Sequence, residues 1–174
     1  MLKVKAGNLD LLGLLYERYK RPLFGFFYHM NHDKMLSEDL VQNVFTRVIK
    51  YKHSFRGDGH FKTWIFHIAR NLNIDHYRKN KKTEPIELLM EHRKVYEYDD
   101  DSQDKELELT KLEKALEMLD DEKKELLTLS KLNNMKYKDI GELYDCTEGA
   151  IKVKVFRAMK ALKAQFELME NIQR

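Results

Sequence analysis

The stretch Phe55–Lys82, FRGDGHFKTWIFHIARNLNIDHYRKNKK, joins a glycine-containing loop to one long amphipathic helix. Its apolar side chains recur at steps of three and four residues, which is the spacing of one helix face. The members of this stripe are Phe61, Ile65, Ile68 and Leu72, with Trp64 beside them. We expect this face to be buried. Gly57 and Gly59 permit a turn in the loop, which would bring Phe55 close to Phe61.

A second stripe on the same helix is polar and consists of His67, Asn71, Asp75 and Arg78. Steps of four, four and three residues keep these side chains on one face, so we expect that face to be exposed and to meet a partner. The helix ends in the cationic segment RKNKK, residues 78–82. Such a segment suits both the negative end of a helix dipole and a phosphate backbone.

The composition of the whole chain favours an all-α protein of one or two small domains. It has 174 residues, 43% of them hydrophobic, with only two Pro and seven Gly to interrupt helices. The single cysteine, Cys146, cannot form an internal disulfide, which fits a cytoplasmic protein. The longest uncharged run, Pro22–His32, is about half of the roughly 20 residues that span a bilayer, so we expect no membrane insertion.

Charge is distributed unevenly along the sequence. Residues 1–82 contain 16 Lys and Arg against seven Asp and Glu, whereas residues 83–110 contain three against ten. A basic first part suits a polyanionic partner. The acidic part includes Pro85 and the segment YEYDDD at 96–101, and it lacks a periodic apolar pattern. We predict a linker over 83–106, with room for a short helix at Ile86–Arg93.

Two further helices precede the opening stretch. The first is predicted over Asn8–Met30, where the aromatic group Phe24, Phe26, Phe27 and Tyr28 fits core packing better than base stacking. The second begins at Ser37, which we expect to be its N-cap. Its predicted buried stripe is Leu40, Val44, Val48 and Tyr51. Its opposite, exposed face is Asp39, Gln42, Asn43, Arg47 and Lys50.

A second small core is predicted after the linker. Its first stripe is Leu109, Leu112, Leu116 and Leu119, continued by Leu126, Leu127 and Leu129. The segment MKYKDIGELYDCTEGAIKVKVFRAMKALK then places two short apolar stripes on either side of a turn at Tyr144–Cys146, with Thr147 as the cap of the second helix. This is the pattern of a helix-turn-helix. The outward face of its second helix is Lys152, Val153, Phe156, Arg157 and Lys160.

Three of these segments, in this order, resemble the sigma-70 family of RNA polymerase sigma factors, in its extracytoplasmic-function (ECF) group. SEDLVQNVFTRVIKY resembles the helix that binds core polymerase. SFRGDGHFKTWIFHIARNLNIDHYRK resembles the segment that reads the minus-10 element and melts the promoter. The helix-turn-helix resembles the minus-35 reader, although Gly141, Ala150 and Val153 replace the Ala, Thr and Ser of the family pattern. The likeness covers about Asn8–Lys82 and Leu107–Leu168.

The resemblance implies a domain at 1–82, a second at 107–174 and an assignment of surface residues. Contacts with the largest subunits of core polymerase would come from Asp39, Gln42, Asn43 and Phe45, where Asn43 replaces a frequent Glu. Minus-10 contacts would come from Phe55, Phe61, Lys62, Trp64, His67, Asn71, Asp75, Arg78 and Lys79. Minus-35 contacts would come from Thr147, Lys152, Val153, Lys154, Phe156, Arg157 and Lys160.

A flipped minus-10 base would lie between the loop and the polar stripe. Phe55 would supply the stacking wall, while Asn71 and Asp75 would bind the base edge. Because an ionised Asp only accepts hydrogen bonds, Asp75 would favour a base with an exocyclic amine, cytosine or adenine. The alternative is that Asp75 is paired with Arg78 or Lys79.

These features predict an alternative sigma factor that binds core RNA polymerase, double-stranded promoter DNA and the melted non-template strand. Such a protein is expected to be held inactive by an anti-sigma factor. The sequence contains no metal-ligand motif, P-loop or dinucleotide motif, so we expect no cofactor and no enzymatic activity. The alternative is a free-standing helix-turn-helix regulator, but such a protein has no need of a second nucleic-acid helix with aromatic side chains for unpaired bases.

Overall fold

The computed structural model describes residues 1–81 and 103–172, and side chains throughout these ranges except at 80, 81, 103–107 and 170–172. Every regular element in the described ranges is helical, which confirms the all-α prediction. The chain divides into two compact units, Met1–Lys94 and Val95–Arg174. The short helix predicted at Ile86–Arg93 and most of the predicted linker lie outside the described residues.

Within residues 1–81, the first unit contains four α-helices: α1 Leu2–Lys5, α2 Leu11–Asn31, α3 Lys34–Lys50 and α4 Phe61–Lys81. A 3-10 turn, Lys52–Ser54, follows α3. Helix α3 packs between α2 and α4, and the interior of the unit is filled by Leu23, Phe26, Phe27, Val44, Ile65 and Phe66, all without solvent exposure. The buried stripe predicted for α4 is confirmed at Ile65, Ile68 and Leu72, whereas Phe61 and Trp64 at the start of the helix are only partly buried.

Two predictions about α3 are wrong. Its N-cap is Asp33, whose carboxylate accepts a hydrogen bond from the Leu36 amide, whereas Ser37 is buried one turn inside the helix and donates to the Asp33 carbonyl. Tyr51 was expected in the core but is 46% exposed. The helix ends at Lys50, so Tyr51 no longer follows the helical spacing that buries Val48.

The second unit contains α5 Gln103–Glu117, α6 Asp121–Leu127, α7 Tyr137–Tyr144 and α8 Glu148–Ile172. One turn of π-helix, Thr128–Leu132, follows α6. Helices α5, α6 and α7 all pack on α8. Leu126, Leu127 and Leu129 are buried as predicted.

The start of α5 differs from prediction in two respects. The helix begins at Gln103, inside the segment predicted to be linker. Its leucine stripe is buried only in its second half: Leu116 and Leu119 are 8% and 7% exposed, but Leu109 and Leu112 are 62% and 43% exposed. The core of this unit therefore begins about two helical turns later than the apolar pattern suggests.

Candidate nucleic-acid interface

An open groove of about 420 Å³ lies where the end of α3 meets α4. It is lined by Arg47, Tyr51, Ser54, Trp64, His67, Ile68 and Asn71. Two aromatic side chains form part of its wall, and cationic, imidazole and amide groups stand at its edge. This combination suits a planar heteroaromatic ring, which needs a stacking surface and hydrogen-bonding partners at its rim.

The loop before α4 holds the aromatic side chains together. The ring of Phe55 makes edge contacts with those of Phe61 and Trp64, at centroid distances of 5.7 and 5.4 Å. The predicted approach of Phe55 to Phe61 is therefore confirmed. Phe55 itself is only 6% exposed and is absent from the groove lining, so it supports Trp64 from behind instead of forming the wall.

The polar stripe of α4 is exposed along its length, as its spacing predicts. The amide nitrogen of Asn71 lies 3.2 Å from Nδ1 of His67. One carboxylate oxygen of Asp75 accepts a hydrogen bond from Arg47 of α3, also at 3.2 Å. Asp75 thus has an ion-pair partner, as the alternative interpretation required, but that partner comes from the neighbouring helix.

Four groove residues are not predicted as such from the sequence: Arg47, Tyr51, Ser54 and Ile68, the last of which was expected only in the core. Arg47 was placed on the exposed face of α3 and Tyr51 in its core. A usable signal was present, because these two residues are one helical turn apart and directly precede the loop that leads to α4.

The exposed surface of α3 carries Asp39, Gln42 and Asn43. Phe45 does not belong to this surface: it is 6% exposed, and its ring packs edge-on against Tyr16 at 4.9 Å. It therefore supports the surface by holding α3 against α2, and its burial is inconsistent with a direct role for its ring in binding a partner.

The helix-turn-helix consists of α7 and α8. Asp145 ends α7 in the left-handed conformation, with φ of 49°, and the Cys146 amide donates to the Gly141 carbonyl. A Cβ atom at position 141 would lie 2.6 Å from the Cys146 carbonyl oxygen, which explains why this chain has Gly there. Thr147 accepts a hydrogen bond from the Ala150 amide through Oγ1, so its predicted capping role is confirmed.

The outward face of α8 is exposed as predicted. Val153 and Phe156 are 49% and 70% exposed, and Lys152, Arg157 and Lys160 are exposed beside them. Large exposed apolar side chains among cations suit the major groove, which presents thymine methyl groups as well as phosphates and hydrogen-bonding edges.

Lys154 differs from its neighbours on α8 because it is engaged within the unit. Its ammonium forms a hydrogen-bonded ion pair with Glu122 of α6 and lies 5.9 Å from the centre of the Tyr144 ring. The hydrogen bond and charge of Glu122 raise the pKa of Lys154 above its usual value. Tyr144 in turn donates to Glu125 at 2.7 Å. Lys154 therefore joins α8 to α6, and this contact competes with any contact to DNA.

Residues 1–81 and 103–172 contain neither a metal-binding cluster nor a membrane-spanning helix. No three His, Cys, Asp or Glu side chains lie together in a way that could hold a metal ion. No helix in those ranges combines the length and apolar character needed to cross a membrane.

Comparison with known families gives two matches that together cover most of the described chain. Residues 15–83 match Sigma-70 region 2, and residues 109–162 match Sigma-70 region 4. These matches correspond to the groove-bearing unit and to the helix-turn-helix unit.

Similar proteins extend the match over nearly the whole length. The ECF RNA polymerase sigma factor SigM of Bacillus subtilis is 32% identical over 155 residues, which is 87% of this chain and 93% of that protein. The ECF RNA polymerase sigma-E factor of Haemophilus influenzae is 27% identical over 177 residues, or 95% and 92% of the two chains. Among solved structures, the sigma factor RpoE of Bartonella quintana, in complex with the anti-sigma factor NepR, matches with a TM-score of 0.69 and 26% identity over 94% of this chain and 98% of that one.

Proposed function

Because the chain belongs to the ECF group of the sigma-70 family and is an alternative sigma factor, we propose that its three exposed surfaces divide the work of transcription initiation. The face of α3 binds core RNA polymerase, the groove between α3 and α4 reads and opens the minus-10 element, and α8 reads the minus-35 element. The main support for this proposal is the groove. It combines aromatic walls with hydrogen-bonding groups, and α4, which forms one side of it, leads into the cationic segment at residues 78–82.

Polymerase docking is assigned to Asp39, Gln42 and Asn43. They share the exposed side of α3, and the opposite side of that helix is fixed by Val44 and Val48 in the core. A rigid helix presents these groups with little loss of conformational entropy on binding. Phe45 contributes only by holding α3 in place.

Promoter opening is assigned to the groove. A base that leaves the duplex loses stacking and pairing worth a few kcal/mol, and the loss must be offset by new contacts. Tyr51 and Trp64 supply stacking surfaces, and Asn71 supplies a donor and an acceptor at the rim. Arg78 and Lys79, further along α4, suit the phosphates of the same strand.

Base preference follows from the chemistry of the groove edge. Asp75 accepts from Arg47 through one oxygen, and a carboxylate has about four lone-pair sites, so acceptor capacity remains for an exocyclic amine. We therefore retain cytosine or adenine as the preferred base. Asp75 does not itself line the groove, but its partner Arg47 does, and this ion pair holds the carboxylate next to the groove.

The minus-35 element is assigned to the exposed face of α8. Arg157 is placed to reach base edges, while Lys152 and Lys160 are placed to contact phosphates. The exposed apolar side chains of Val153 and Phe156 offer contacts to thymine methyl groups. Lys154 serves mainly to hold α8 against α6.

Regulation and place of action follow from the family. The Bartonella relative was solved with an anti-sigma factor, and we propose that a protein of that kind holds this chain inactive until a signal releases it. Its work is done in the cytoplasm, where bacterial polymerase meets promoters. We assign it no catalytic activity of its own, because the reaction it supports is carried out by the polymerase.

The groove is tested by Asn71→Ala and Asp75→Ala, assayed as holoenzyme for permanganate reactivity of the melted strand and for preference among the four non-template bases. Closed-complex binding should persist, while opening falls and base preference flattens. Asp10→Ala is the matched control, since it removes an exposed carboxylate of the same unit that caps no helix through its side chain. Unchanged opening and unchanged preference in both groove variants would place base recognition elsewhere.

A further inference from the structure

The short helix α1 lies against the loop that leads into α4. Val4 is completely buried, and α1 contacts the 3-10 turn at Lys52–Ser54. The ammonium of Lys5 donates a hydrogen bond of 2.7 Å to the carbonyl oxygen of Phe55, 50 residues away in sequence. This contact is partly buried, and a charged donor makes it stronger than an ordinary backbone hydrogen bond.

A second contact fixes the same loop. Gly57 has a φ of +89°, a conformation that side-chain-bearing residues rarely adopt. A Cβ atom there would lie 2.8 Å from a Leu2 methyl carbon. Leu2 therefore lies directly over the backbone of Gly57, and the backbone conformation is what favours glycine at this position.

These contacts continue into the groove. Phe55, whose carbonyl is bound by Lys5, supports Trp64 from behind, and Ser54 immediately before it lines the groove. The position of the loop therefore sets the separation between the Ser54 side and the Trp64 side of the groove.

We propose that α1 braces the base-reading groove and that Lys5 is a positioning residue for base discrimination. It acts through the Phe55 backbone and touches no DNA in this role. The inference rests on the proposed function of the groove, and it extends that function to a segment that lies outside residues 15–83, the part matching Sigma-70 region 2.

The test compares Lys5→Met, which keeps the length of the side chain and removes its charge, with Lys5→Arg, which keeps a donor. Lys3→Met is the matched control, because it removes the same charge from the same helix at an exposed position. Each variant is assembled with core polymerase and titrated with a fluorescent fork-junction DNA from a promoter that the wild-type holoenzyme opens. The DNA carries either the natural base or an abasic site at the flipped position.

The measured quantity is the affinity for the DNA with the natural base divided by the affinity for the DNA with the abasic site. We expect Lys5→Met to lower the wild-type ratio about tenfold, Lys5→Arg to restore most of it and Lys3→Met to leave it unchanged. The affinity for core polymerase, which the same unit binds through α3, should be the same for all variants, and a loss of folding of that unit would not allow this. Leu2→Ala removes the second contact from a side chain that is already 55% exposed, so it should fold and also lower the ratio.

A wild-type ratio in both Lys5→Met and Leu2→Ala would overturn the proposal. So would a loss in Lys5→Met that Lys5→Arg did not recover at all. A ratio near one in the wild-type holoenzyme is a different result: it would overturn the assignment of the groove itself, and the role of α1 with it.

Discussion

Replacing Tyr51 by alanine tests whether the groove stacks a base. The side chain is 46% exposed, lines the groove and follows the last residue of α3, so its removal takes away a wall without emptying the core. The Lys50 ammonium lies over the Tyr51 ring, 5.5 Å from its centre. Such an exposed cation–π contact is worth about 0.5–1 kcal/mol.

The expected effect of Tyr51→Ala on promoter opening is much larger than its expected effect on the free energy of unfolding. Stacking of a base on an aromatic side chain is worth about 1–3 kcal/mol by alanine substitution, which corresponds to about a 5- to 150-fold loss in the opening equilibrium. Surface substitutions of this kind change the free energy of unfolding by about 0.5 kcal/mol. Opening should therefore fall far more than stability does.

The assay is permanganate reactivity of non-template thymines in holoenzyme complexes, beside denaturant unfolding of the isolated protein. Tyr51→Phe is the control, because it keeps the ring and loses only the hydroxyl, and it should open promoters nearly as well as the wild type. Wild-type opening by Tyr51→Ala would refute the stacking role. An equal loss in both variants would show that the hydroxyl, and not the ring, is what the groove uses.

Three further outcomes are expected. Changing Asp39 and Gln42 together to Ala should weaken core-polymerase binding at least about fivefold in a titration of labelled core, while thermal unfolding stays as in the wild type. Undiminished binding would show that this face of α3 is not part of the interface. Arg157→Ala should cost about 1–3 kcal/mol on a cognate minus-35 duplex and flatten the base-substitution profile, and Arg157→Lys should recover affinity better than specificity; a profile unchanged in both would place recognition elsewhere. Gly141→Ala should destabilise the second unit by about 1–3 kcal/mol in denaturant unfolding, because the new methyl group would meet the Cys146 carbonyl. Gly149→Ala is the control and should not destabilise it, since the nearest atom to a Cβ there is 4.0 Å away. Equal stability of the two variants would contradict that geometry.

Periodicity predicted the parts of the fold that depend on one helix at a time. The exposed polar stripe of α4 follows directly from steps of three and four residues. So do the buried residues of α4 and α8, which are Ile65, Ile68, Leu72, Ile151, Val155 and Ala158. The loop geometry was also predictable, since the glycines before α4 allow the turn that brings Phe55 to Phe61. In each case the cause is local, so the sequence contains it.

The predictions are wrong where the end of a helix, or its packing against a neighbouring helix, determines which residue caps it or which side chain is buried. Asp33 and Ser37 are four residues apart and both suit an N-cap; the chain is extended at Asp33, directly after α2 ends at His32, so Asp33 is the residue that caps α3. Tyr51 continues the apolar spacing of α3, but the helix stops before it. Leu109 fits the stripe of α5 but remains 62% exposed, which the periodicity of a single helix does not predict.

The polar stripe of the candidate site could be predicted from the sequence, but the groove could not. The groove exists because the end of α3 lies beside the middle of α4, and the Arg47–Asp75 pair depends on the register between those helices. No periodic pattern within either helix specifies that register. Helix α1 is missed for a different reason, since four residues are too few to give a periodic signal.

Run-off transcription with purified core polymerase on a pool of genomic promoters tests the central claim most directly. With this chain added, core should start at a restricted set of promoters that share a minus-35 and a minus-10 element, and the melted region should react with permanganate. Neither the chain alone nor core alone should open those promoters. Promoter-specific DNA binding without core, together with no new start sites when core is present, would contradict the account and indicate a free-standing helix-turn-helix regulator.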